Sequence, residues 1–228
     1  MRRRGQVRYK FYREHKYVSF ALNDLERLIA KTDFRDSLEV ERIKQEFQAV
    51  LQMLKGHAHY ENNALHELLR KKGSKVYEHV EQDHKHYDML LEDLQNKLNG
   101  VLESTLEEEL LELGYQFYLA FRKFVGENLI HLHEEETIIL PELQRLYSDE
   151  ELRLVEFDTY RRMTVEQMIH MLEVLFPHMN ASDREFFLGE IKDSEPEKFS
   201  QVWLGIEPKL PSKEREYLAE KLLLEKTK

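Results

Sequence analysis

Apolar residues recur in alternating steps of three and four along the first two-thirds of the chain, a spacing that lays them on one face of a helix. From Arg8 to Lys31 the stripe is Phe11, His15, Val18, Leu22, Leu25 and Ile29. From Ser37 to Lys72 it is Ile43, Phe47, Val50, Leu54, His57, Glu61, Ala64 and Leu68, and Gly73 supplies a C-terminal stop. A third stripe opens near Ser74 with Val80, His84, Tyr87, Leu91, Leu94 and Leu98, and Asn99-Gly100 ends it. Ser104 with Glu107 reads as a capping box for a fourth helix, whose stripe is Leu110, Gly114, Phe117, Phe121, Phe124, Asn128, His131, Glu135 and Ile138. Pro141 kinks or ends it. Four long stripes joined by short links predict an all-α fold, an antiparallel up-down four-helix bundle.

The last third predicts shorter helices. Ser148 with Glu151, Thr164 with Gln167 and Ser182 with Glu185 are further capping boxes, and Pro196 and Ser212 each begin a helix. "MNASDREFF" at Met179 is similar to "LPSKEREYL" at Leu210, which we read as two similarly capped helices. The expected division is a bundle over residues 1–147 and an additional helical extension over 148–228. The extension is read as packed on the bundle or used for association, with Trp203 as the anchor of a homodimer or partner surface.

Charged residues at 34%, hydrophobic residues at 41% and only 8 Gly and 5 Pro agree with a helical protein that has a real core. The net charge of −10 argues against nucleic acid as a partner. The start, MRRRGQVRYK, is basic without a following apolar run, so neither a signal peptide nor a membrane span is expected. With no cysteine there is no disulfide, thiolate nucleophile or iron–sulfur ligation, and a cytoplasmic location is the expectation.

Six polar residues lie on stripes that should be buried: His15, His57, Glu61, His84, His131 and Glu135. Buried charge is costly unless it is paired or bound to metal. "HAHYENNALHELL" at His57 is echoed by "HLHEEETIILPEL" at His131, so two helices each carry a histidine and, one turn on, a glutamate. Four imidazoles and two carboxylates suit a pair of metals, each with two histidines and a share of both glutamates, leaving positions open for water, oxide or a small gas. Iron is the favoured metal for such a mixed nitrogen–oxygen site, with manganese or zinc as alternatives. Depth fits for the first four residues. The third helix leaves about 22 Å after His84 while the fourth runs about 40 Å before His131, so the fourth must overhang. His59 and His133 point off the stripe. His66, His79, His86, His170 and His178 have no partner pattern and are read as structural.

Lone His15, "HAHYEN", "DHKHYDMLL" and "HLHEEETIILPEL", spread over about Arg8 to Tyr147, resemble the hemerythrin-like family of histidine–histidine–glutamate cation-binding domains. The resemblance implies an antiparallel four-helix bundle around a non-haem di-iron site with an oxo or hydroxo bridge. It makes His15, His57, His84 and His131 iron ligands and Glu61 and Glu135 bridging carboxylates. Oxygen-carrying members have a further histidine one turn before the His84 position; here that residue is Val80, unless His79 or Glu81 swings in. Four histidines with two glutamates is closer to members that handle iron or nitric oxide, including proteins that repair iron–sulfur centres. Two function classes follow. One is a binding module for oxygen, nitric oxide or iron, which we favour. The other is a di-iron redox enzyme or repair protein, for which Tyr60, Tyr77 and Tyr87 are the nearest acid–base candidates.

Overall fold

The computed structural model describes residues 8–223. The basic run at residues 1–7 lies outside the described residues. Among those described the chain is all-α, and it forms two compact units: Val18–Leu146, and residues 8–17 together with 147–223.

The first unit is the bundle. Its elements are α1 (His15–Ile29) from Val18 onward, α2 (Ser37–Tyr60), α3 (Glu67–Lys71), α4 (Val76–Glu103), α5 (Glu107–Glu134) and α6 (Leu140–Leu146). The core draws Leu22, Leu25 and Ile29 from α1, Ile43 and Phe47 from α2, Leu94 and Leu98 from α4, and Phe117, Phe121 and Phe124 from α5. Phe47 meets Phe117 edge-on with ring centroids 5.9 Å apart, an arrangement aromatic pairs prefer. Gly114 lets the ring of Phe34 approach α5, because a Cβ there would lie 2.2 Å from Phe34 Cγ. Gly73, at φ +61°, takes the left-handed turn that stops α3.

Several expected boundaries move. The first helix begins at His15, not Arg8, because Asp149 holds the chain before it: Asp149 Oδ1 accepts from Arg8 Nε at 2.7 Å and from the Tyr9 N–H at 3.1 Å. Tyr12 then turns the chain with φ +70°. Asn99-Gly100 does not end α4, which runs on to Glu103 and buries Val101. Ser104 and Glu107 form no capping box. Leu106 is the N-cap without a side-chain bond, and the Ser104 hydroxyl donates to Glu109 instead. These shifts reduce the overhang: α4 now extends about 29 Å beyond His84 while α5 runs about 36 Å to His131.

The larger departure is a pair of π-helical segments. Glu61–His66 joins α2 to α3, and Glu135–Ile139 joins α5 to α6. Each begins at a stripe glutamate, and each advances the buried face by one residue. Leu65 and Leu69 are fully buried where Ala64 and Leu68 were expected. Ile139 is buried and Ile138 is 45% exposed, reversing the expectation for that pair. Pro141 does not end the helix, which continues from the π-helical segment through α6 to Leu146.

The second unit contains α7 (Asp149–Arg162), α8 (Val165–Leu175), α9 (Ala181–Ser194), α10 (Pro196–Ile206) and α11 (Ser212–Leu223). The boxes at Ser148–Glu151 and Thr164–Gln167 form as expected. At the third, Asn180 is the cap and accepts from the Asp183 N–H, so Ser182 and Glu185 play no such part. The similar phrases at Met179 and Leu210 follow matching 3-10 turns, Phe176–His178 and Glu207–Lys209, each with a proline. Trp203 is buried in this unit's own core beside Leu172, Leu188 and Val202, so it is not an outward anchor. Glu190, also buried, accepts from the Tyr9 hydroxyl at 2.6 Å and from Arg153 Nε at 2.8 Å.

Candidate metal centre

The bundle gathers five of the six stripe residues. His57 Nε2 lies 3.3 Å from Glu61 Oε1, and His131 Nε2 lies 3.3 Å from Glu135 Oε1. Equal distances follow from equal spacing, since residues four apart in a helix stand over one another. α4 brings His84 between the two pairs, its Nε2 3.8 Å from Glu61 Oε2 and 3.8 Å from Glu135 Oε1. The two oxygens of Glu61 therefore face different imidazoles, His57 on one side and His84 on the other. Glu61 is 1% exposed and Glu135 0%.

Two overlapping groups result. Ligand atoms of Glu61, His84, His131 and Glu135 all lie within 4.8 Å of one another, and so do those of His57, Glu61 and Glu135. Both glutamates belong to each group. His84 has no hydrogen-bond partner for either ring nitrogen among the described residues. An imidazole without hydrogen-bond partners among the described residues, beside two buried carboxylates, is a donor set that a divalent cation fits: nitrogen for a borderline metal, carboxylate for charge balance. The sixth residue, His15, is the first of α1 and belongs to the other compact unit. There it is buried, with its ring stacked on Tyr12 at 4.6 Å.

A cavity of about 50 Å³ adjoins the group, lined by His57, Glu61, His84, Tyr87, Asn128 and His131 with Leu54, Leu91 and Phe124 among the apolar walls. Asn128 turns a buried Oδ1 without a hydrogen-bond partner among the described residues. The Tyr87 ring lies 4.6 Å from that of His131, and its hydroxyl donates to the Glu127 carbonyl at 2.8 Å. Burial first, then nearby carboxylates, push that phenol well above its ordinary range, so it stays protonated.

Of the residues read as structural, His66 lies against this group. It is 1% exposed, and its ring meets His84 edge-on at 4.7 Å. Burial, reinforced by His84, lowers its pKa to about 3, so it is neutral. In an unbroken α-helix a residue five after Glu61 would lie about 140° away; the π turn brings it inward. A signal was present, because the echo of the two phrases sets His66 against Leu140, a core position. His59 and His133 are exposed, as expected. Val80 is fully buried, and neither neighbour swings in for it: His79 is exposed beside Asp83 at 3.4 Å, and Glu81 accepts from the Tyr77 hydroxyl at 2.7 Å. His79, Asp83 and Glu134 form a third, more exposed group.

The family model described as Hemerythrin HHE cation binding domain matches residues 7–143. F-box/LRR-repeat protein 5 of Danio rerio is 30% identical over 128 residues, which is 56% of this chain and 18% of that protein. The chain thus spans less than a fifth of the length of that relative. No solved structure matches. Among the described residues, no helix is long and apolar enough to cross a membrane.

Proposed function

The chain belongs to the hemerythrin HHE cation-binding family, and from that premise we propose that it is a non-haem di-iron module that binds, senses or stores oxygen, nitric oxide or iron. The observation that carries this reading is Glu61, whose two oxygens face separate imidazoles from within the core. A carboxylate so placed is suited to bridge two ions. One ion would take His84 and His131, the other His57, with Glu61 and Glu135 shared. His15 is proposed as the second imidazole on the His57 side. Iron supplies Lewis acidity and redox chemistry at such a site. The residues of this chain supply the rest: buried carboxylates to balance charge, neutral imidazoles to fix ion positions, and apolar walls to limit the cavity to small ligands.

Binding is favoured over catalysis because the hydroxyl of Tyr87, which lines the cavity, is committed to a backbone carbonyl. The test is elemental analysis of the purified chain with absorption spectra under nitrogen and then air. About two irons per chain and a spectral change on adding nitric oxide or air are expected; a change that reverses with oxygen points to carriage or sensing, and irreversible oxidation to iron handling. Fewer than two irons after anaerobic loading overturns the di-iron reading, and catalytic turnover of peroxide or nitric oxide replaces the module with an enzyme.

A further inference from the structure

We infer that His66 is a metal ligand of this centre, delivered by the π-helical turn after Glu61 to the ion that His84 and His131 hold. The inference rests on the di-metal reading above and adds a ligand to it. Four observations converge. His66 is almost completely buried, and its Nε2 has no hydrogen-bond partner among the described residues. Its Nδ1 lies 3.0 Å from Asn62 Oδ1, an atom that only accepts, so Nδ1 carries the proton and Nε2 presents its lone pair. A ring that donates its other N–H to a carbonyl oxygen is the arrangement that fixes the tautomer of metal-bound histidine. The ring stands edge-on to His84 at 4.7 Å, and His84 in turn lies 5.2 Å from His131, so the three imidazoles are consecutive neighbours.

The fourth observation is the π segment itself. π turns inside α-helices concentrate at functional sites, and this one runs from Glu61 to His66, so the carboxylate and the imidazole bound it. The matching segment begins at Glu135 and is followed by buried Leu140 at the position corresponding to His66. Apolar packing thus satisfies this position in one helix, and the other places an imidazole there. His66 is not one of the four residues whose ligand atoms lie within 4.8 Å of one another; ligation draws its ring toward the ion. The two ions then differ, the one held by His84 and His131 having the additional imidazole.

Cobalt(II) is the probe, added under nitrogen to the full chain. Each ligated imidazole that keeps an N–H gives one hyperfine-shifted, exchangeable proton resonance, so the spectrum counts histidine ligands. Two cobalt ions per chain and five such resonances are expected in the native protein. His66→Ala should keep the fold by circular dichroism, lose one resonance, and weaken one cobalt site by about tenfold or more. Should His66→Ala fail to fold, His66→Gln retains polar volume and should lose the same resonance. Two cobalt ions with a His66 variant that retains every resonance would refute ligation by His66 and leave the di-metal reading standing. A native chain that binds fewer than two cobalt ions would overturn the underlying reading, and this inference with it.

Discussion

Asn128 sets the cost of the cavity at the scale of one residue. A buried amide oxygen without a partner carries a desolvation penalty of about 1–3 kcal/mol, and here that oxygen belongs to a residue that lines the space beside His57, His84 and His131. Asn128→Leu should therefore leave the metal-free chain as stable or about 1 kcal/mol more stable. The same change should weaken binding of azide or nitric oxide by the loaded protein. Thermal unfolding and ligand titration, done side by side, check the two halves. A large loss of stability on substitution would mean the amide is satisfied in the fold and has no role facing the cavity.

Helices fail or hold at their contacts and ends. Gly114→Ala should cost about 1–3 kcal/mol by forcing Phe34 away from α5, measured by denaturant unfolding. Glu142 bears on the start of α4: it accepts from the Ser74 hydroxyl at 2.7 Å and from Arg145 Nε at 2.7 Å, and these bonds, Arg145 first, lower its pKa to about 2. Being depressed in the folded state, it contributes stability above the ordinary carboxylate range of about 4.5 that is lost as pH falls toward 2. The native chain should thus lose its advantage over Glu142→Gln across that window, with a difference of about 1 kcal/mol or less because the group is near the surface. The same scale shows why much of the bundle was readable and part was not. The stripes of α1, α2, α4 and α5 were legible because period alone buries Leu22, Phe47, Leu94 and Phe121. His57, Glu61, His84, His131 and Glu135 were legible because polar residues on such stripes need a reason. His66, Leu65 and Ile139 were hidden because one extra residue per turn breaks the period on which the reading depends. The late start of α1 was hidden because its cause, Asp149, is far away in sequence.

For the whole molecule, a ligand that binds only the folded bundle adds stability in proportion to its occupancy. Ferrous iron at a hundredfold excess over its Kd should raise stability by about 2.7 kcal/mol per site, seen as a rise in Tm under nitrogen that a chelator reverses. In the other unit, Tyr9→Phe should cost about 1 kcal/mol by removing one bond to buried Glu190, while Glu190→Ala should cost more by stranding Arg153 as well. That unit is assembled from two stretches of chain with the entire Val18–Leu146 bundle between them. On the ribosome the order of events follows. The bundle sequence is complete before α7 has been made, whereas Tyr9 must wait for Glu190. At roughly 5–20 residues per second that wait is on the order of ten seconds. For that interval Tyr9 waits for the carboxylate that its hydroxyl bonds in the folded unit, so a stretch translated before the bundle is among the last to reach its native place.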